Sequence, residues 1–346
     1  MNKVGVCGCF AEKTRLLNGQ TIKTIIFTEE LEKEFGIHSI GRLDTYKWSK
    51  NPLKLIFSSI LLAQKSENIV IMPAKNGIKV FAPLFLMINI FFRKQLHYVV
   101  IGGWLPPLLK SHKGLKKSLK KFDSIYVETQ VMMKSLEELG MDNIKILPNF
   151  KKLDIVSPDE LKNRSNNRPL KICTFSRVMR EKGIEDAINI IKKINKSQNE
   201  ITFILDIYGQ IEKGYEEEFE KLILKFPEYI NYKGTINYEE SVKVLRKYFV
   251  LIFPTKFKTE GIPGTVIDAF ASGLPVIASN WDSASEIIDA GETGYIYEFN
   301  NNLMLEEILI DIARYPNKIE SMRENCLEKA KAYLPSSVMS NFTSEI

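Results

Sequence analysis

The segment from Leu251 to Asn280, LIFPTKFKTEGIPGTVIDAFASGLPVIASN, limits the fold more tightly than any other part of the chain. Its first apolar run is short and ends at a proline, which is typical of a buried strand. A polar loop with the single acid Glu260 follows. Thr265 then stands as an N-cap with Asp268 three residues later, which predicts a capping box and a helix that ends at the Gly-Leu-Pro sequence. A second apolar strand completes the unit, so we expect the right-handed crossover of a parallel sheet.

This unit places a carboxylate and a helix N-terminus at one edge of the sheet. Open α/β sheets bind ligands at the carboxyl ends of their strands, and the N–H groups of a helix N-terminus attract anions, especially phosphates. Glu260 is the acid of this edge. The backbone donors expected beside it belong to Ile262, Gly264, Thr265 and Val266. The alternative is an ordinary crossover loop whose acid is solvated, and the local pattern alone leaves both interpretations open.

Strand-like and helix-like segments alternate through the first half of the chain. The predicted strands are Val4–Phe10, His38–Leu43, Asn68–Met72, Leu96–Ile101, Ser124–Glu128 and Ile144–Pro148. The predicted helices between them are Gln20–Phe35, Lys54–Lys65, Gly77–Phe92, Lys110–Phe122 and Gln130–Gly140. This alternation predicts a doubly wound parallel sheet, which a polar linker from Lys151 to Pro169 follows.

The second half opens with another strand-to-helix turn. The predicted strand Leu170–Ser176 leads into the sequence RVMREKG, and a helix begins at Ile184. Three cations beside a helix N-terminus suit a diphosphate, although surface charge is the alternative for such a turn. Further predicted strands are Ile201–Gly209 and Ile230–Gly234, and further predicted helices are Tyr215–Lys225, Leu303–Arg314 and Ile319–Leu334.

The central segment resembles the motif of the retaining glycosyltransferases of family 4. Glu260 is followed by seven residues, Asp268, the sequence AFASGLPVIAS, and Glu286 before ETGYIYE. Asp268 stands where the family has a second Glu, and Trp281–Ser285 replaces the usual Gly-Gly. Asp268 therefore has two interpretations, a ligand of the ribose or only a helix cap.

A second motif strengthens this resemblance. Arg177 and Lys182-Gly183 match the family pattern of Arg, four residues and Lys-Gly. The resemblance implies the GT-B architecture, which consists of two Rossmann-like doubly wound parallel-sheet domains facing a central cleft. It also implies a nucleoside-diphosphate sugar as the donor substrate, with no further cofactor. No Asp-x-Asp stands in a predicted strand-end loop, so we expect no metal site.

The resemblance assigns residue roles. It implies catalytic roles for Glu260, Arg177 and Lys182. The donor-binding residues that it implies are Gly19, Gly209, Ile236, Ile262, Gly264, Thr265 and Asp268. Many relatives carry a histidine in the loop after the fourth strand, where this chain has Gly102-Gly103-Trp104. His97 lies inside the predicted strand, where a packed role is expected.

The chain has 346 residues and room for two domains. We expect an acceptor-side domain at residues 1–165, a donor-binding domain at 166–330, and a last helix at 331–346 that returns to the first domain. Residues 1–165 hold 26 Lys/Arg and 15 Asp/Glu, a net charge of +11, whereas residues 166–346 have a net charge of −5. The first domain is therefore suited to an anionic surface.

The predicted helix Lys110–Phe122 is a candidate for contact with an anionic surface. Its leucines recur at helical spacing, and lysines occupy the rest of its surface from Lys110 to Lys121. A basic amphipathic helix of this kind favours an anionic membrane, and a solvated helix face is the alternative. The N-terminus leads directly into a strand without a secretory signal, and the four cysteines lack zinc-site spacing. These features predict a cytoplasmic protein, peripheral at the inner face of the membrane.

The predicted function is transfer of a sugar from a nucleoside-diphosphate sugar to a lipid-linked or glycan acceptor in cell-surface polysaccharide synthesis, with retention of configuration. No nucleic-acid partner is expected. Two alternatives stay open, a nucleotide-sugar 2-epimerase of the same fold and a non-catalytic nucleotide-sugar binding protein. A dehydrogenase is disfavoured because no Gly-x-Gly-x-x-Gly follows the first strand.

Overall fold

The computed structural model describes residues 1–11, 19–161 and 167–346. The chain divides into two compact units, Met1–Lys152 with Tyr333–Ile346, and Leu153–Ala332. The predicted boundary between residues 165 and 166 lies outside the described residues. The chain already belongs to the second unit at Leu153, and Val156 donates a backbone hydrogen bond to Ala271 O there.

Each unit contains a six-stranded, fully parallel sheet, so the predicted α/β class is confirmed. The strands are β1 Asn2–Gly8, β2 Ile40–Asp44, β3 Ser66–Ile71, β4 Gln95–Val99, β5 Ser124–Val127, β6 Ile144–Ile146, β7 Leu170–Phe175, β8 Phe203–Tyr208, β9 Ile230–Gly234, β10 Val250–Phe253, β11 Val276–Ser279 and β12 Gly294–Tyr297. Their order is β2-β1-β3-β4-β5-β6 in the first sheet and β12-β11-β10-β7-β8-β9 in the second.

Helices connect these strands. Their bounds are α1 Gly19–Phe35, α2 Pro52–Lys65, α3 Ile78–Phe92, α4 Leu105–Ser111, α5 Lys113–Leu119, α6 Gln130–Glu137, α7 Pro158–Leu161, α8 Ile184–Gln198, α9 Glu216–Ile223, α10 Ser241–Leu245, α11 Gly264–Ala271, α12 Ala284–Ile287, α13 Asn302–Arg314, α14 Asn317–Glu320, α15 Arg323–Lys331 and α16 Pro335–Thr343.

Helices cover both faces of the first sheet because its right-handed crossovers run in two directions. Helices α2 to α6 share one buried core with the sheet, whereas α1 and α16 share the core on the opposite face. Phe342 of α16 is buried there, with its ring 5.0 Å from that of Phe27 and 4.8 Å from that of Tyr126. The last helix is thus part of the first unit.

The predicted helix Lys110–Phe122 is wrong as a single element. The chain instead forms α4 and α5, which meet at His112. His112 has φ −121° and ψ 73°, outside the helical region, and its Nδ1 lies 3.1 Å from Leu108 O. The predicted strands, and the predicted helices Gln20–Phe35 and Leu303–Arg314, are present with small shifts at their ends.

The cysteines lie within the packed interior rather than at a shared site. Cys7, Cys173 and Cys326 are buried, and Cys9 is half-buried.

None of the described helices combines the length and the apolar character that crossing a membrane requires.

Candidate functional site

Two strand-end loops meet at the carboxyl edge of the second sheet. Strands β7 and β10 pair directly, so the loops that follow them leave the sheet side by side. The loop after β7 contains a single 3₁₀ turn, Arg180–Lys182, and then Gly183. Gly183 has φ +68°, and a Cβ added there would lie 1.9 Å from Pro254 O. Only glycine allows this approach, which brings Lys182 close to the loop after β10.

Lys182 and Glu260 form the centre of this edge. Lys182 Nζ contacts Glu260 Oε1, and each side chain is 16% exposed. Thr255 Oγ1 donates to the same carboxylate oxygen at 3.0 Å, and Phe257 N donates to Thr255 Oγ1 at 3.1 Å. Lys182 Nζ also lies 5.1 Å from the centre of the Phe257 ring. These contacts fix a cation and a carboxylate at one place while leaving part of each accessible.

Backbone contacts hold the two loops together around this pair. Lys256 N donates to Glu181 O at 2.7 Å, and the Lys256 ammonium lies 2.9 Å from an Asp186 carboxylate oxygen. Asp282 N, in the sequence that replaces the family's Gly-Gly, donates to Lys258 O at 2.8 Å. These contacts tie the two loops to each other and so hold Lys182 and Glu260 in place.

The helix N-terminus beside Glu260 differs from the sequence prediction. Helix α11 begins at Gly264, Pro263 takes the N-cap position, and within the described part of the chain no side chain caps it. Thr265 is the second helical residue, so the predicted N-cap and capping box are wrong. Its Oγ1 is buried without a hydrogen-bond partner among the described residues. Asp268 lies deeper in the helix and is only 4% exposed.

The backbone donors predicted at this terminus divide into two groups. Val266 N donates to Pro263 O at 3.0 Å, so its predicted role as a ligand donor is wrong. Gly264 and Thr265 occupy the first two helical positions, where N–H groups point out of the helix. Ile262 is buried beside them. The helix can therefore present backbone donors to an anion next to Lys182.

Arg177 lies at the same sheet edge, but it does not join the central pair. Its guanidinium donates to Glu212 at 2.8 Å, and both side chains are exposed. Gly209, at the end of β8, has φ +138°, and a Cβ there would lie 1.8 Å from Ser176 O. This close approach places Gly209 directly beside the residue before Arg177.

The remaining predicted donor residues are more dispersed. Ile236 is half-buried in the turn after β9, which is an edge strand separated from β7 by β8. Glu286 of the motif is half-buried in α12. Gly19 begins α1 in the first unit and is exposed, and the preceding Asn18 lies outside the described residues.

The first unit contains a charged pair that sequence reasoning missed. Lys23 Nζ donates to Glu128 Oε1 at 2.8 Å, and both side chains are 2% exposed. Gly102 N donates to the same oxygen at 3.2 Å. Glu128 directly follows β5. An acid at the end of a predicted strand is the sequence feature that could have indicated a buried charged pair here. The pair positions the glycine loop after β4. His97 is buried within β4, as predicted.

Carboxylate and imidazole groups do not gather into a metal site in the described ranges. Among the described residues, no group of three or more His, Cys, Asp or Glu side chains is placed to hold an ion.

Comparison with known proteins gives curated relatives of part of the chain and solved structures with the same fold. The chain is 28% identical over 219 residues to the UDP-N-acetylglucosamine–peptide N-acetylglucosaminyltransferase GtfA subunit of Streptococcus pneumoniae, covering 62% of this chain and 41% of the relative. It is 23% identical over 197 residues to an uncharacterized 41.2 kDa protein in the cps region of Klebsiella pneumoniae, covering 55% and 52%. The chain thus spans about half the length, or less, of these curated relatives.

A solved structure extends the likeness to the entire chain. Anabaena HepE, crystallised in complex with UDP, superimposes with a TM-score of 0.76 at 13% identity, covering 100% of this chain and 99% of that one. At this identity the likeness establishes the shared fold. A profile of the glycosyl transferases group 1 family matches residues 158–332, which include the whole Lys182–Glu260 edge. The chain therefore belongs to the glycosyl transferases group 1 family.

Proposed function

We propose that this protein is a retaining glycosyltransferase that uses a nucleoside-diphosphate sugar as donor. The observation that carries the proposal is the Lys182–Glu260 contact at the N-terminus of α11. A cation and helix N–H groups suit a diphosphate, and an adjacent carboxylate suits sugar hydroxyls. Family membership over residues 158–332 supports the same reading.

The chemistry follows from where charge develops. As the bond between the sugar C1 and the diphosphate oxygen breaks, negative charge grows on the leaving group. Lys182 and the donors at Gly264 and Thr265 would stabilise that charge, and preorganised donors of this kind contribute about 3–4 kcal/mol each. Arg177 would add a second cation once it exchanges Glu212 for the diphosphate. Glu260 would accept hydrogen bonds from sugar hydroxyls and orient the ring.

Retention needs no nucleophile from the protein in this proposal. The acceptor attacks C1 from the face that the leaving diphosphate occupies, and the diphosphate takes up the acceptor proton. Asp268 is buried one turn into α11, so we assign it to support of the helix rather than to the donor.

The first donors to test are UDP-sugars. The Streptococcus relative is named for UDP-N-acetylglucosamine, and HepE was crystallised with UDP. We propose Ile236 and Gly209 as the base-side contacts because both lie in turns that follow strands of the same sheet edge. The site needs no cofactor beyond the donor itself.

The proposed acceptor is lipid-linked or a glycan, in cell-surface polysaccharide synthesis. The cps-region relative supports this setting, and the peptide substrate named for the Streptococcus relative makes a polypeptide the acceptor to compare. We propose that the protein is cytoplasmic and peripheral at the inner face of the membrane. The basic segment Lys110–Lys121 was the expected contact, and its net positive charge supports attraction to anionic lipid.

A thermal-shift panel of UDP-, GDP-, ADP- and dTDP-sugars tests the donor. A ligand at 100 times its dissociation constant raises the unfolding free energy by about 2.7 kcal/mol, which such a panel detects. Release of nucleoside diphosphate then measures turnover. Lys182→Ala is expected to lower it about 10²-fold or more. Arg177→Ala should lower it less, because Arg177 is more exposed and must first leave Glu212 to reach the diphosphate. Lys243→Ala, on an exposed helix position of the same unit, is the matched control.

The outcomes separate the competing functions. A folded Lys182→Ala protein with unchanged turnover contradicts the proposed chemistry. An epimeric UDP-sugar formed without acceptor would indicate a 2-epimerase, and donor binding with neither hydrolysis nor transfer would indicate a binding protein.

A further inference from the structure

Helices α2 and α3 of the first unit leave large apolar side chains exposed. Phe57 on α2 is 63% exposed, and Ile90 and Phe91 on α3 are 70% and 83% exposed. The other large exposed apolar residues of these helices are Leu53, Ile56, Val80 and Met87. Single exposed apolar residues are ordinary, but a group of this size on two adjacent helices marks an interaction surface.

These side chains lie on the outer side of one helix layer. On α3 the exposed positions Pro83, Met87 and Ile90 recur at helical spacing, while Phe81 and Phe85 face the core. Helices α2 and α3 pack against each other and bury their inner faces in the same core. Both connect strands in the same direction along the sheet, so right-handed crossovers put them on the same sheet face.

The two helices of this apolar surface carry charge of a single sign, because α2 and α3 contain Lys but no Asp or Glu. Between Glu67 and Asp123 the sequence holds ten Lys or Arg residues and no Asp or Glu. Lys54 on α2, Lys79 on α3 and Lys117 on α5 are exposed, and α5 packs against α3. Apolar side chains surrounded by cations match the boundary of an anionic bilayer, where acyl chains lie beneath phosphate groups.

We propose that the outer face of α2 and α3 docks on an anionic membrane, with Phe57, Ile90 and Phe91 inserted among the acyl chains and the lysines contacting phosphates. A second copy of the chain fits less well, because a two-fold contact would place the same lysines against one another. The inference rests on the proposed function only for the choice of a bilayer as partner. It moves the main contact from Lys110–Lys121 to α2 and α3.

Vesicle binding tests the proposal without any catalytic readout. The wild type should float with vesicles that contain phosphatidylglycerol and bind pure phosphatidylcholine vesicles more weakly. The triple variant Phe57→Gln/Ile90→Gln/Phe91→Gln should bind the anionic vesicles at least about tenfold more weakly, because it loses three inserted side chains. All three positions are exposed, so the variant should fold. Its thermal shift with UDP should equal that of the wild type, which separates this test from the donor site.

The matched control removes three exposed apolar side chains from the second unit. Leu224→Gln/Leu303→Gln/Tyr315→Gln changes the same number of residues, and it should bind vesicles like the wild type. Binding that the α2–α3 triple variant retains in full overturns the proposal. It is also overturned if the wild type ignores anionic vesicles at low salt, or if the wild type is a dimer that the triple variant converts to a monomer.

Discussion

Gly183 allows a direct test of whether the proposed site depends on the close approach of its two loops. The change Gly183→Ala adds a Cβ that would lie 1.9 Å from Pro254 O, and contacts shorter than 3.0 Å are essentially never seen for real Cβ atoms. The turn that carries Lys182 and the loop that carries Glu260 must therefore separate by at least 1.1 Å, the difference between these two distances. A misplacement of about 1 Å lowers the rate by about 10²-fold when a reaction depends on positioned groups.

Gly214→Ala is the control, because it should add backbone strain without forcing two loops apart. Gly214 also has a positive φ, +91°, but nothing lies within 4 Å of the Cβ that an alanine would add. Alanine in the left-handed region costs about 1–2 kcal/mol at either position, which lowers Tm by about 2–8 °C in a domain of this size.

Nucleoside-diphosphate release and the melting temperature are the measurements. Gly214→Ala should lose stability but keep turnover within about twofold, whereas Gly183→Ala should lose about 10²-fold in turnover. Wild-type turnover in Gly183→Ala, with a Tm like that of Gly214→Ala, would refute the reasoning, because the loops would then act without their close contact.

Three further predictions concern buried or paired groups. Glu260→Gln should lower turnover about 10²-fold with little change in Tm, whereas Asp268→Asn should mainly lower Tm; abolished turnover at unchanged Tm in Asp268→Asn would contradict this division. Lys23→Met leaves Glu128 buried without its cation and should lower the unfolding free energy by about 3–5 kcal/mol in denaturant titrations, whereas a double variant that also replaces Glu128 with Leu should lose less. Burial lowers the pKa of His97 below its usual 6.5, so the unfolded state takes up the proton first, and stability should fall as pH drops below about 6.5. His97→Gln should flatten that fall, and an unchanged slope would count against it.

The strands were predictable because each is a short apolar run between turn residues. The position of the candidate site was predictable for a related reason: Lys182 and Glu260 each follow such a run, and parallel strands end at one edge. The contact between Lys182 and Glu260 was not predictable, because the two residues stand 78 positions apart and meet only when β7 pairs with β10. Strand order depends on the packing of the whole unit.

The errors have local causes. Thr265 has the residue type of an N-cap, but the last extended residue before the helix is Pro263, with ψ 127°. The helix therefore starts at Gly264, one residue before Thr265. The helix predicted at Lys110–Phe122 is interrupted at His112, which is not helical. The spacing of lysines and leucines continues through His112, so an amphipathic pattern cannot reveal a break at one residue. The Lys23–Glu128 pair joins α1 to the end of β5 across 105 positions, and no local pattern encodes it.

The return of α16 to the first unit has a consequence for biosynthesis. Residues Leu153–Ala332 are translated before α16, at roughly 5–20 residues per second. For roughly 10 to 40 s the nascent first unit therefore lacks Phe342, and the apolar ring faces of Phe27 and Tyr126 are without their partner. The unit synthesised first is thus completed last. A chaperone that shields this surface on the ribosome would protect the chain during the interval in which it is most exposed to aggregation.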